Sequence, residues 1–145
     1  MKIGTKFSKI LVPVDGSESD REAIELACRL GKATKGKVLV LYVIQVKRSL
    51  PLDASLDSEV RRAETILSHA ERIADQSDYD VDTNLIQARE VGPAIVDEAI
   101  ERGIDLILIG MDYRKHLGGF DLGDVVPYVL KNAPCRVLLL RRPTP

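Results

Sequence analysis

Apolar positions along this chain alternate between two periods. Ile10–Val14, Val38–Val46, Leu106–Ile109 and Val137–Leu140 are short runs that are apolar at nearly every position. Runs that show apolar side chains on both faces suit the strands of a buried parallel sheet. Val81–Ala88 is interrupted by Asp82, Thr83 and Asn84, which predicts an edge strand. Between these runs the spacing is helical. Ala23, Ala27 and Leu30, with Ile24 and Leu26, predict a helix from Ser19 to about Ala33. Leu56, Val60, Ala63, Leu67, Ala70 and Ala74 form one stripe of a second. Ile95, Val96, Ala99 and Ile100 mark a third, ended near Gly103, and Val125, Val126, Val129 and Leu130 a fourth, ended before Pro134. Strand and helix alternate throughout. The expected class is therefore α/β, an open doubly wound five-stranded parallel sheet with helices on both faces.

Composition narrows the rest. The 145 residues are 45% hydrophobic and 30% charged, which excludes wholesale disorder and suits one domain over residues 1–145. Lys and Arg total 21 against 22 Asp and Glu, so the net charge of -1 points to no nucleic-acid or membrane-surface partner. No apolar run approaches the ~20 residues of a membrane span, so no membrane insertion is expected. The start of the chain lacks the apolar stretch of a signal peptide. Cys28 and Cys135 are the only cysteines, too few for a disulfide scaffold or a cysteine zinc site, and a reduced cytosolic chain is the simpler reading. The tail from Arg141 to Pro145 reads as frayed, or as the cut end of a domain fused to another.

Ligands of open α/β sheets sit beyond the carboxyl ends of the strands. Three segments converge there: Pro13, Val14 and Asp15 with Gly16 and Ser17; Tyr42 and Val43; and the long loop from Gly110 to Asp124. That loop carries four glycines and the cations Arg114 and Lys115, and it leads into a helix. Glycine backbone and a helix N-terminus are what a phosphate requires. A solvated surface loop with turn glycines has the same composition, and both readings stand.

The segment Ile10-Leu11-Val12-Pro13-Val14-Asp15-Gly16-Ser17-Glu18, the long loop, and Ala133-Pro134-Cys135-Arg136-Val137-Leu138 together resemble the universal stress protein family, over Phe7 to Arg141. The resemblance implies a Rossmann-like sheet in the order 3-2-1-4-5, a cytoplasmic location and a homodimer formed through the last strand. Many members bind ATP or AMP through Gly, two residues, Gly, nine residues, then Gly followed by Ser or Thr. Gly110 and Gly123 match the first and third glycines, whereas Tyr113 replaces the second glycine and Asp124 the hydroxyl residue. Asp15 and Val43 match the adenine side. The candidate nucleotide-binding set is thus Pro13, Val14, Asp15, Val43, Gly110, Arg114, Gly123, Asp124 and Val125.

Both departures weaken phosphate binding. Tyr113 would narrow the approach. Asp124 would bring a like charge, and two such charges ~4 Å apart repel by roughly 4 kcal/mol at an effective dielectric near ~20. Asp124 also reads as the N-cap of the following helix, its carboxylate filling the anion site from within. Against this, Arg114, Lys115, Gly118 and Gly119 remain for a phosphate. The expected function is therefore a regulatory, stress-response domain acting through dimerisation or partner docking, with weak or absent ATP binding. The alternative is an ATP- or AMP-responsive switch. The related adenine-nucleotide hydrolases hold pyrophosphate in a Ser-Gly-Gly-x-Asp-Ser loop, for which Asp15-Gly16-Ser17-Glu18-Ser19 is a poor match, so no enzyme is expected.

Three further motifs lose their chemistry on inspection. Gly31-Lys32-Ala33-Thr34-Lys35-Gly36-Lys37 has P-loop spacing but is followed by Val38, in a helix-then-strand context, and reads as a glycine-capped helix end. Asp78-Tyr79-Asp80-Val81-Asp82 starts like a calcium loop but has Thr83 and Arg89 at the sixth and twelfth positions. His69 and His116 have no motif partner for a metal.

Overall fold

The computed structural model describes residues 7–113, 115–116, 119–120 and 123–144. Its elements are β1 (Lys9–Val14), α1 (Ser19–Thr34), β2 (Lys37–Gln45), α2 (Asp57–Gln76), β3 (Asp82–Ala88), α3 (Val91–Glu101), β4 (Leu106–Met111), β5 (Lys115–His116), β6 (Gly119–Phe120), α4 (Val125–Asn132) and β7 (Arg136–Arg141). The main sheet has the order β3-β2-β1-β4-β7, parallel throughout. With β7 as the fifth main strand, this is the expected 3-2-1-4-5 order. β5 and β6 form a separate antiparallel ribbon within the long segment that reads as loop from sequence.

Each apolar run serves two cores. Ile10, Val12 and Val14 of β1 pack with Ala23, Ile24, Ala27 and Cys28 of α1 and Leu67, Ala70 and Ile73 of α2. Leu11 points the other way, to Ile95 and Ala99 of α3 and Val126 and Val129 of α4. Alternation across a strand explains why neither face tolerates a polar residue. β3 and β7 border on a single strand each. Their burial is partial, and polar residues interrupt β3.

Ile100 and Leu130 lie in the helices they mark but are 59% and 49% exposed, because α3 and α4 bury one face only. Two expectations are corrected. The left-handed residue ending α1 is Lys35 (φ 54°), not a glycine. Gly36 is needed for closeness instead: a Cβ there would lie 2.7 Å from the Ser8 carbonyl oxygen. Finally, the tail is anchored as far as Arg142, whose N–H donates to the Met111 carbonyl at 2.8 Å. Among the described residues no helix is long and apolar enough to cross a membrane. Burial pushes the thiols of Cys28 and Cys135 up, away from a reactive thiolate.

Candidate functional site

β1 and β4 are neighbours in the sheet, yet the chain leaves them towards opposite sides, to β2 and to β7. Their carboxyl ends therefore splay apart and leave a crevice. A cavity of about 270 Å³ occupies it. Pro13 and Val14 at the end of β1 wall it with Asp15 just beyond, Gly110 and Met111 at the end of β4 with Asp112 just beyond, and Val125 at the start of α4 with Gly123 and Asp124 before it. Val91 and Ile95 of α3 supply an apolar floor. Seven of the nine predicted site residues thus meet at one cavity. Val43 lies elsewhere: partly buried, it packs beside Ile86 against the core beneath α3 and α4 and is not on the cavity wall. Arg114 lies outside the described residues.

The β1–α1 turn is organised by Asp20, which sequence reasoning overlooked. Gly16 turns the chain at φ +88°, a left-handed conformation that suits glycine. The Gly16 N–H donates to Asp20 Oδ2 at 2.7 Å and the Asp15 N–H to Oδ1 at 3.3 Å. Asp15 Oδ1 in turn accepts from the Ser17 N–H at 2.9 Å. Asp20 is only 9% exposed and borders the cavity. Burial, and then the charge of Asp15 beside it, raise Asp20 from 3.8 to about 7. In the sequence, an acidic residue in a first helical turn reads as ordinary dipole compensation, so nothing marked Asp20 as buried.

The two matching glycines have different reasons. At Gly110 a Cβ would meet the Ser19 carbonyl oxygen at 2.4 Å and the Ala23 Cβ at 3.0 Å, so glycine here lets α1 approach β4. Gly123 has φ +70° and nothing within 4 Å of where a Cβ would lie. Only Gly123 opens space towards a ligand.

Neither Asp124 nor Tyr113 acts in the fold as its identity suggests. Asp124 does occupy the N-cap of α4, but its side chain makes no capping hydrogen bond. Its backbone is in the helical region (φ -94°, ψ -33°), whereas a capping side chain needs an extended residue to reach back to the helix N–H groups. Asp124 therefore does not fill the anion site from within; it adds an uncapped carboxylate to the cavity wall. Tyr113 does not narrow the cavity, since it is not on the wall, and the Arg141 guanidinium lies 5.1 Å from its ring centroid. Asp15, Asp20, Asp112 and Asp124 thus give this cavity an acidic lining.

Arg142 partly offsets that charge. Its Nη1 donates to Glu18 at 2.8 Å and to Asp112 at 3.1 Å, and its Nε lies 3.6 Å from Glu22. Hydrogen bonding to Glu18 and then to Asp112 raises the guanidinium further above its ordinary range. Among the described residues no group of three His, Cys, Asp or Glu side chains is placed to hold a metal ion.

Comparisons with known proteins agree in one direction. The model of the universal stress protein family matches residues 6–141. A universal stress protein of Methanocaldococcus jannaschii is 30% identical over 143 residues, covering 94% of this chain and 84% of that protein. The structure of a universal stress protein from Archaeoglobus fulgidus in complex with dAMP has a TM-score of 0.73 at 21% identity, covering 93% of this chain and 98% of that one. A universal stress protein in complex with cAMP has a TM-score of 0.71 at 18% identity, covering 94% and 98%. At these identities the two solved structures speak for the fold.

Proposed function

We propose, for a chain that belongs to the universal stress protein family, a regulatory domain over residues 1–145 that binds an adenine nucleotide weakly and without turnover, and that pairs with a second copy. The carrying observation is the cavity at the split between β1 and β4. It joins an open Gly123 to an apolar floor, yet lines its walls with four carboxylates. The apolar floor of Val91 and Ile95 suits a flat base, and Gly123 with the first turn of α4 suits a phosphate. The carboxylates hold affinity down.

Binding in complexes of dAMP and cAMP with proteins of the same fold supports the ligand class. Among the described residues the titratable groups on the cavity wall are the carboxyl groups of Asp15, Asp20, Asp112 and Asp124, beside the hydroxyls of Ser17 and Ser19 and with no histidine, lysine or thiol, which supports binding over catalysis. A cytoplasmic setting accords with two unpaired cysteines.

Pairing is supported by β7. It ends the sheet next to β4, leaves one edge unpaired, and shows Leu138 at 39% exposure. Two copies related by a two-fold axis would join these edges antiparallel.

The test of the nucleotide reading has two arms. Purified protein is denatured and any released nucleotide identified by mass spectrometry; separately, AMP and Mg-ATP are titrated by calorimetry. The expected result is no stoichiometric bound nucleotide and saturable binding in the millimolar range. A stoichiometric co-purified nucleotide overturns weak binding, and no heat at millimolar ligand overturns binding altogether.

A further inference from the structure

The β1–α1 turn separates two cavities of different charge. On one side lies the carboxylate-lined cavity described above. On the other, a cavity of about 380 Å³ lies between the turn and α2, and Val14, Ser17 and Asp20 wall both. The side that α2 contributes is basic. Arg62, Ile66, His69 and Arg72 recur every three or four residues, so they share one helical face. Arg62 reaches the turn, its Nη2 3.4 Å from where a Cβ of Gly16 would lie. His69 and Arg72 wall the cavity itself.

His69 and Arg72 converge with no acid between them. Arg72 Nη2 lies 3.5 Å from His69 Nδ1. A guanidinium can only donate, so Nδ1 accepts and the ring hydrogen sits on Nε2, which remains a donor. Among the described residues neither Arg62 nor Arg72 forms an ion pair with a carboxylate. The two acids that face this cavity are engaged elsewhere. Glu18 accepts from Arg142 at 2.8 Å, and both oxygens of buried Asp20 accept backbone N–H bonds, from Gly16 and Asp15. The donors on α2 are therefore left for a ligand. Below them Ile66 is half-buried and offers apolar surface, and Ile24 and Ile73 close the base.

We propose that this cavity binds an organic monoanion, a carboxylate on a short apolar body. Arg72 takes the carboxylate through its donor fork, His69 Nε2 adds a third N–H, and the body lies against Ile66. Arg62 adds positive potential at the turn. One negative charge is favoured over two, because Glu18 and Asp20 remain on the opposite wall. The site is independent of the nucleotide reading, since it uses the other side of the turn.

The test is isoleucine-methyl NMR of the full chain, titrated separately with sodium hexanoate, 1-hexanol and sodium acetate. Ile24, Ile66 and Ile73 report on this cavity, and Ile95 and Ile109 on the first. Hexanoate is expected to shift Ile66 and its neighbours saturably in the low millimolar range. Hexanol lacks the charge and acetate the body, and each is expected to bind about tenfold more weakly. Arg62 and Arg72 are exposed, so their replacement leaves the fold intact. Arg72→Gln is expected to weaken hexanoate about fivefold, and Arg62→Gln with Arg72→Gln about tenfold. Unchanged affinity in the double variant, an equal response to hexanol, or shifts confined to Ile95 and Ile109 overturns the proposal. Absence of any saturable shift with hexanoate overturns it too. None of these outcomes bears on the first cavity, which the AMP titration tests.

Discussion

The Arg142 guanidinium donates to the Glu18 carboxylate at 2.8 Å, across 124 positions of sequence. It ties the exit of β7 to the start of α1 and, through Asp112 at 3.1 Å, to the cavity wall. The pair is solvent-accessible, and such pairs add little stability. Arg142→Ala is therefore expected to leave thermal unfolding nearly unchanged at physiological salt. Its effect falls on the cavity, where Asp112 loses its counter-charge: nucleotide affinity should drop several-fold by calorimetry. A large loss of melting temperature with unchanged affinity would reverse this assignment.

Asp20 predicts a pH dependence of stability. Its folded value of about 7 lies above 3.8, so between these limits the folded state holds a proton that the unfolded chain has released. Stability contributed by this group is complete below its unfolded value and is lost as pH rises through about 7. The slope is about 1.4 kcal/mol per pH unit, hence a few kcal/mol in total. Urea unfolding at a series of pH values should show this fall in wild type relative to Asp20→Asn. Parallel profiles for the two proteins would refute it.

The two cavity glycines should respond differently to alanine. Gly110→Ala drives a methyl into the Ser19 carbonyl, backbone that cannot yield without moving α1. The expected cost is roughly 3 kcal/mol. Gly123→Ala meets open space and is strained only by φ +70°, at about 1 kcal/mol. Chemical denaturation of both variants ranks them, and equal losses would contradict the packing role of Gly110.

Asp124 and Tyr113 should separate in the same way. Asp124 is on the cavity wall and makes no cap bond. Asp124→Ser is therefore expected to tighten AMP binding about tenfold, the ~1.4 kcal/mol of one like charge removed. Tyr113→Gly, off the wall, should add nothing to it. A gain that requires the Tyr113 change would show that the ring limits access.

Edge pairing through β7 predicts that Leu138→Lys gives a monomer by light scattering, because a desolvated ammonium opposes closure of an apolar edge. A dimer that survives this change forms elsewhere on the surface.

The linear pattern determined the architecture of this protein. Runs apolar on both faces, such as Ile10–Val14, can be buried only between two helical layers, and the breaks at Asp82–Asn84 mark a strand that has only one neighbour. Backbone topology follows from such local periodicities, and it carried seven site residues to one cavity. Register and distance decided what the pattern does not encode. Val43 matched a motif, and its side chain lies on the same sheet face as Val91 and Ile95, yet it packs with Ile86 one strand further out and is not on the cavity wall. Asp124 had the identity of a cap but not the backbone angles. Asp20 looked like an ordinary first-turn acid until folding buried it against Asp15. Arg142 belonged to a frayed-looking tail until β7 brought it to three carboxylates. A side chain's charge is written in the sequence. What that charge does depends on its solvent access and its neighbours, and these are set by parts of the chain far apart in sequence.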